Sequence, residues 1–260
     1  MERQSLAELA ELGDKNMAHE WAAIGRHAGF QLGWTDSMTL TASGLPVAFF
    51  NGGFAHTRSA DPRGCIDDAI GFFASADVPF LLWLRDGAYD DLIAAGRAAG
   101  LQHVGGPPSM ALATIGEIKP PPAELDLRFA ATSSDLVDHL AVLAAGFGMP
   151  NDLLQRVMVE GLLEDPDMAI VVGSVDGVPV TTALLAMSGQ TAGVYNVATL
   201  TEQRGKGYGE AATWAVVGEG ARRGCTHSIL QSSDSGRPVY ERMGFVDVGR
   251  YVQLQGPPIP

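Results

Sequence analysis

Arg204-Gly205-Lys206-Gly207-Tyr208-Gly209-Glu210 follows an apolar, strand-like run at 193–200 and opens a helix-like run at 211–223. A strand, a glycine-rich turn and a helix start leave several backbone N–H groups without intrahelical partners, at the positive end of a helix dipole. Glycines allow unusual dihedrals there and let a ligand approach without meeting a Cβ. Arg204 and Lys206 add positive charge beside those donors. Such a turn is shaped for phosphate or pyrophosphate. A P-loop would need Ser or Thr after its Gly-Lys, and no such triplet occurs, because Tyr208 follows Gly207. The spacing Gly205-x-Gly207-x-Gly209 also departs from the dinucleotide fingerprint and lies late in the chain.

The pattern that fits is R-x-x-G-x-G, formed by Arg204, Gly207 and Gly209, with Tyr240-Glu241-Arg242-Met243-Gly244-Phe245 after one further strand. This ordered pair resembles the GNAT superfamily of N-acetyltransferases. The resemblance implies a phosphate loop for acetyl-CoA at Arg204, Gly205, Lys206, Gly207, Tyr208 and Gly209, acting through backbone N–H groups. It also implies that the strand before the loop splays from its parallel neighbour, so that Val197, Ala198 and Thr199 bind the pantetheine arm and the acetyl carbonyl. Tyr240 matches the family's tyrosine that protonates the departing thiolate, a role a phenol suits. Ser233 stands where many members carry a cofactor-contacting Asn, which leaves a side-chain contact open at that position.

Composition narrows the setting. The chain has 260 residues, is 46% hydrophobic and carries a formal net charge of −13. It is long enough for two domains, and its acidity opposes nucleic acid and anionic membranes. No apolar run approaches the ~18 residues of a membrane span. The N-terminus lacks the basic start and apolar core of a secretion signal. Cys65 and Cys225 are too few for a disulfide framework or a zinc knuckle, and the six His show no metal spacing. The expectation is a cytoplasmic protein with buried thiols and no metal.

A boundary is expected at the Pro120-Pro121-Pro122 connector, giving domains 1–119 and 120–260. Beyond it the pattern reads as strand 125–131, helix to about 147, helix 152–164, and a hairpin of 169–175 and 178–187 around Asp176-Gly177. Then come strand 193–200, the loop and its helix, strand 228–232, helix 237–243 and strand 246–254. This is the order of the GNAT fold, an α/β (α+β) architecture with a mixed central sheet. Residues 1–119 read as helical runs 6–16 and 17–28, a strand 38–42, then 46–54, helix 66–76, strand 79–85, helix 89–100 and strand 109–114. From Pro46 the order β-α-β-α-β parallels the second half of the C-terminal domain. Where the phosphate loop would stand, the chain has His56-Thr57-Arg58-Ser59. The N-terminal half is therefore read as a degenerate GNAT-like domain in a tandem arrangement, with an unrelated α/β domain as the other reading.

No general base is visible. Tyr195-Asn196-Val197-Ala198-Thr199 holds no carboxylate, and Asp234, Glu160 and Glu164 read better as solvated residues. Trp83 reads as core, and Met149-Pro150 as a break between helices. Neither Cys has a nucleophile's context, so the resemblance implies direct attack of a primary amine on acetyl-CoA. The partner expected is a small-molecule or peptide amine, without nucleic acid or membrane, and the reading admits a homodimer. Two alternatives remain: a tandem acetyltransferase of an amino-sugar or thiol-pathway metabolite, and a non-catalytic acyl-CoA sensor.

Overall fold

The computed structural model describes residues 4–256; 1–3, on which part of the N-terminal reading rests, and 257–260 lie outside the described residues. The chain opens with α1, Leu6–Ala28. Ser5 Oγ accepts from the Glu8 N–H and the Glu8 carboxylate accepts from the Ser5 N–H, a reciprocal cap. Gly29 ends the helix at φ +72°. The two runs expected at 6–16 and 17–28 are thus one helix, since nothing between Asn16 and Met17 breaks it.

The N-terminal half continues with β1 (Gln31–Trp34), β2 (Met38–Ala42), a 3-10 turn at Ala48–Phe50 and β3 (Asn51–Ala55). Then come α2 (Pro62–Ser75), β4 (Leu81–Arg85), α3 (Asp90–Ala98), β5 (Gln102–Gly105) and β6 (Pro108–Leu112). The C-terminal half holds β7 (Asp126–Phe129), α4 (Ser133–Phe147), α5 (Asn151–Gln155), β8 (Met168–Val175), β9 (Val178–Ser188) and β10 (Thr191–Thr199). It closes with α6 (Tyr208–Arg222), β11 (His227–Gln231), α7 (Arg237–Arg242) and β12 (Val246–Gln255). Asp176 and Gly177 turn between β8 and β9 at φ +50° and +77°, as the two-residue turn predicts.

The helix expected over 152–164 is not continuous. α5 stops at Gln155, Val159 is extended, and a 3-10 turn follows at Glu160–Leu163. Val157, Val159 and Gly161 are poor helix formers, and burying Val157, Met158 and Leu162 overrides the helical spacing. The strands β1 and β5, unforeseen in the sequence, are four-residue, largely unburied edges with no alternating apolar pattern.

Among the described residues the strands form one sheet in the order β1-β2-β3-β4-β12-β6-β11-β10-β9-β8-β7, with β5 also on β12. Two parallel pairs, β3 with β4 and β10 with β11, each span a strand-helix-strand unit; the other pairs are antiparallel. The two halves exchange strands. β6, last of the N-terminal half, lies between β11 and the first part of β12. The second part of β12 crosses back and lies between β4 and β5. α1 seals this seam: Asp14, fully buried, accepts from Arg85 Nη2 at 2.9 Å and from the hydroxyls of Tyr89 and Tyr251 at 2.8 Å each. One carboxylate thereby ties the first helix, an N-terminal strand and the last strand of the chain. The apolar core runs on through the seam, with Trp21, Phe54 and Trp83 packed together with Leu140, Leu184 and Tyr251.

Candidate functional site

The sheet opens at β10. This strand pairs with β11 only from Thr191 to Val194, opposite His227 to Leu230. On its other side the register with β9 slips between Tyr195 and Ala198, and Asn196 takes φ +53°, a left-handed conformation uncommon outside glycine. The bulge bends β10 away from β11 and leaves residues 196 and 197 outside the ladder. Two cavities of about 620 and 460 Å³ occupy the wedge. Phe147, Val197, Ser233 and Tyr240 line both, so the two spaces meet there.

The larger cavity lies over the glycine-rich loop and the start of α6. Gly207 sits at the N-cap of α6 with φ +82°, where a side chain would be strained. The first in-helix bond runs from the Ala211 N–H to the Gly207 carbonyl at 2.9 Å. The N–H groups of Tyr208, Gly209 and Glu210 find no partner among the described residues, and none of those side chains caps the helix. Three open donors thus stand at the positive end of a 15-residue helix, an arrangement whose chemistry suits an anion.

Arg204 braces this loop. Its Nε donates to the Thr199 carbonyl at 3.2 Å and its Nη2 to the Gly146 carbonyl at 3.1 Å, joining the loop to β10 and to the end of α4. Arg242 adds a second guanidinium to the cavity wall. Glu210 also lines it and meets Lys119 of the Pro-rich connector at 3.4 Å.

The smaller cavity is mostly apolar, walled by Trp21, Ile24, Phe49, Trp83, Leu143 and Met158. At its floor Tyr195 donates to Asn16 Oδ1 at 2.7 Å. Asn16 reaches β10 because position 193 is glycine: a Cβ there would stand 1.9 Å from Asn16 Oδ1. One turn further along α1, Glu20 is buried in the same wall, and burial pushes its carboxyl up to about 8. Burial also pushes the Tyr240 phenol up to about 12, opposed by a hydrogen bond with the Thr213 side chain. Tyr240 therefore carries its proton throughout the neutral range.

Residues 142–245 match the acetyltransferase (GNAT) family. This segment is a GNAT acetyltransferase domain. The GNAT family transfers acetyl from acetyl-CoA. The fold of the whole chain is similar to that of a GCN5-related N-acetyltransferase from Kribbella flavida, with 20% identity and a TM-score of 0.72 over 95% of this chain and 96% of that one. A GCN5-related N-acetyltransferase from Sphaerobacter thermophilus aligns at 18% identity and TM-score 0.60, over 99% and 95% of the two chains. A tandem GNAT protein from the clavulanic acid biosynthesis pathway aligns at 11% identity and TM-score 0.61, over 99% and 98%. No curated protein matches the sequence.

Within this GNAT domain the residues singled out in the sequence fall as follows. Val197, Ala198 and Thr199 line the larger cavity from β10, and Arg204, Gly205, Gly207, Tyr208 and Gly209 line it from the loop. Lys206 lies outside the lining and donates to Gln203 Oε1 at 2.8 Å. The Tyr208 ring turns inward against Leu125 and Val180, its hydroxyl donating to Glu124 Oε1 at 3.1 Å, so it faces the cavity with backbone. Ser233 Oγ accepts from the Gly236 N–H at 3.1 Å, an internal turn contact. Asp234, Glu160 and Glu164 are exposed and line neither cavity. The reading of the sequence missed Glu20, Phe147 and Arg242. Glu20 carried a usable signal: Met17, Glu20, Trp21 and Ile24 share one helix face, so the apolar stripe of α1 contains a carboxylate.

No helix among the described residues is long and apolar enough to cross a membrane. Cys65 and Cys225 are both buried as free thiols.

Proposed function

We propose that this chain transfers the acetyl group of acetyl-CoA to a primary amine by direct attack. The observation that carries the reading is the meeting of two cavities at Tyr240, in a wedge held open by the β10 bulge. One cavity presents the open N–H groups of α6 to a pyrophosphate. The other offers a mostly apolar space to the acceptor. The backbone of residues 196–199 lies between them and would hold the pantetheine arm and polarise the thioester carbonyl, whose oxygen gains charge in the transition state.

At the junction the Tyr240 hydroxyl would give its proton to the leaving thiolate. In water a phenol is a slightly weaker acid than a thiol. Burial raises the basicity of the thiolate as well as that of the phenol, which keeps the two comparable, and the sulfur's demand for a proton grows as the carbon–sulfur bond opens. No step calls for a metal or a covalent acyl-enzyme. The fused sheet brings α1 of the N-terminal half into the acceptor cavity through Met17, Glu20, Trp21 and Ile24, and we assign that half a part in forming the acceptor site.

Acetyl-CoA consumption measured over a panel of primary amines tests this reading. Tyr240→Phe should bind acetyl-CoA nearly as the parent does while kcat falls by ~10²-fold or more. A parent that binds acetyl-CoA and acetylates no amine would be an acyl-CoA sensor. A variant with the parent's kcat would leave Tyr240 a packing residue.

A further inference from the structure

The acceptor cavity holds buried polar atoms that the protein does not satisfy. Glu20 Oε2, Gln231 Nε2 and Trp83 Nε1 each lack a hydrogen-bond partner, and all three residues line the 460 Å³ space. Open buried polar groups are rare because each costs stability, and three around one cavity point to a ligand that completes them. Among the described residues, Glu20 is the only carboxyl, lysine or arginine side chain in that lining. The rings of Trp21, Phe49 and Trp83 line the same space, with Phe49 edge-on to both indoles at 6.0 and 6.1 Å. A carboxylate within an aromatic wall suits a cation, which ring faces also attract. The apolar lining suits a bulky, weakly hydrated body.

We propose that the acceptor is a primary amine with a ring-sized apolar body bearing an oxygen acceptor, and that Glu20 receives its ammonium group and takes its proton. Gln231 and Trp83 then donate to the oxygen. The proposal rests on the acetyl transfer put forward above. The acceptor enters as R–NH₃⁺, and Glu20 as carboxylate removes one proton to give R–NH₂. The nitrogen lone pair forms the C–N bond at the thioester carbonyl, and the C–S bond breaks with its electron pair on sulfur. Tyr240 protonates that thiolate, and the proton left on the new amide nitrogen restores the Tyr240 phenol. The proton on Glu20 passes to solvent. The products are the neutral amide, CoA-SH and one proton, which balances the charge of the ammonium.

The groups facing Glu20 are few. Tyr195 from β10 and Tyr240 from α7 are the other titratable residues in the lining, and both stay protonated because burial raises them. Gln231 and Trp83 are neutral. Burial alone raises Glu20, so the carboxylate forms most readily when an ammonium group stands beside it.

Calorimetry of the full chain with 2-phenylethylamine, phenylalanine amide and glucosamine tests binding without turnover. The two ring-bearing amines should bind at least ~10-fold tighter than glucosamine. Glu20→Gln, which keeps the side chain's shape, should lose ~10-fold or more of that affinity and ~10²-fold of kcat/KM, with acetyl-CoA affinity unchanged. With 2-phenylethylamine, the parent's kcat/KM should climb toward about pH 8 as Glu20 loses its proton. In Glu20→Gln that limb should move to the amine's own titration. Gln231→Leu should weaken phenylalanine amide and spare 2-phenylethylamine. Parent-like amine affinity and pH profile in Glu20→Gln, or preference for glucosamine, would overturn the proposal. A parent that binds the ring-bearing amines yet acetylates none would overturn the transfer reading instead.

Discussion

The chain makes the same strand-turn-helix junction twice, and finishes it in opposite ways. In the C-terminal half, β10 leads through the glycine-rich loop into α6, and three N–H groups at the helix start stay open. In the N-terminal half, β3 leads into α2, again between two parallel strands. There Asp61 caps the helix through the Gly64 N–H at 3.1 Å, and Pro62 removes another donor. Asp36 accepts from the Ala60 N–H at 2.9 Å, and Ser59 Oγ accepts from Asp61 N–H at 3.1 Å. The N-terminal junction thus supplies its own carboxylates where an anion would bind. A helix start left uncapped, as at α6, is locally a loss of stability.

The strongest way to break this comparison is to convert the C-terminal junction into the N-terminal kind. Gly207→Asp puts a carboxylate beside the open N–H groups at the start of α6, where its charge is drawn to the helix dipole and repels phosphate. Acetyl-CoA affinity should fall by ~10²-fold or more, with a far-ultraviolet spectrum like the parent's. Calorimetry showing parent affinity in the folded variant would sink the assignment of this loop.

A second test counts sites. Saturating acetyl-CoA should bind at one equivalent per chain, because the N-terminal junction is capped. Asp61→Ala removes that cap and should cost about 1 kcal/mol of stability. It should not create a second site, because Pro62 and Asp36 remain. Two equivalents of similar strength in the parent would show that capping does not decide binding.

Much of the C-terminal domain was legible because its signals are local. The loop Arg204 to Gly209, the Asp176-Gly177 turn and the apolar run of β10 each announce themselves within ten residues. The exchange of β6 and β12 was not legible. β6 reads as an ordinary strand, and only pairing across more than 110 residues of sequence, Ala111 with Ile229, fixes its place. The assembly of the acceptor cavity was illegible for the same reason, although the apolar stripe of α1 marks Glu20. Glu20 meets Gln231, Trp83 and Tyr195 only after α1 lies across the seam, where Asp14 holds Arg85 and Tyr251. The splay of β10 is expected from the resemblance, but at Asn196, where the backbone turns left-handed, no glycine stands to mark it.

The smallest effect expected from the comparison is on acid stability. The Ala60 N–H, and secondarily the Ser59 hydroxyl, hold the Asp36 carboxyl below its ordinary range. A carboxylate depressed in the folded state contributes stability that is complete above its unfolded value, near pH 4, and fades as pH falls through the folded value. Asp36→Asn should therefore lower Tm at pH 7 and converge with the parent as the pH drops below 4. Asp36 is exposed, so water screens the contact and the gap at pH 7 should be only about a degree. No matching acid-dependent increment should appear at the start of α6, where backbone N–H groups face the cavity without a carboxylate cap. Melting curves of Asp36→Asn and parent at pH 7, 5 and 3.5 check this. A gap that stays constant to pH 3.5 would mean that Asp36 acts through shape alone, and the two junctions would then differ in geometry but not in charge.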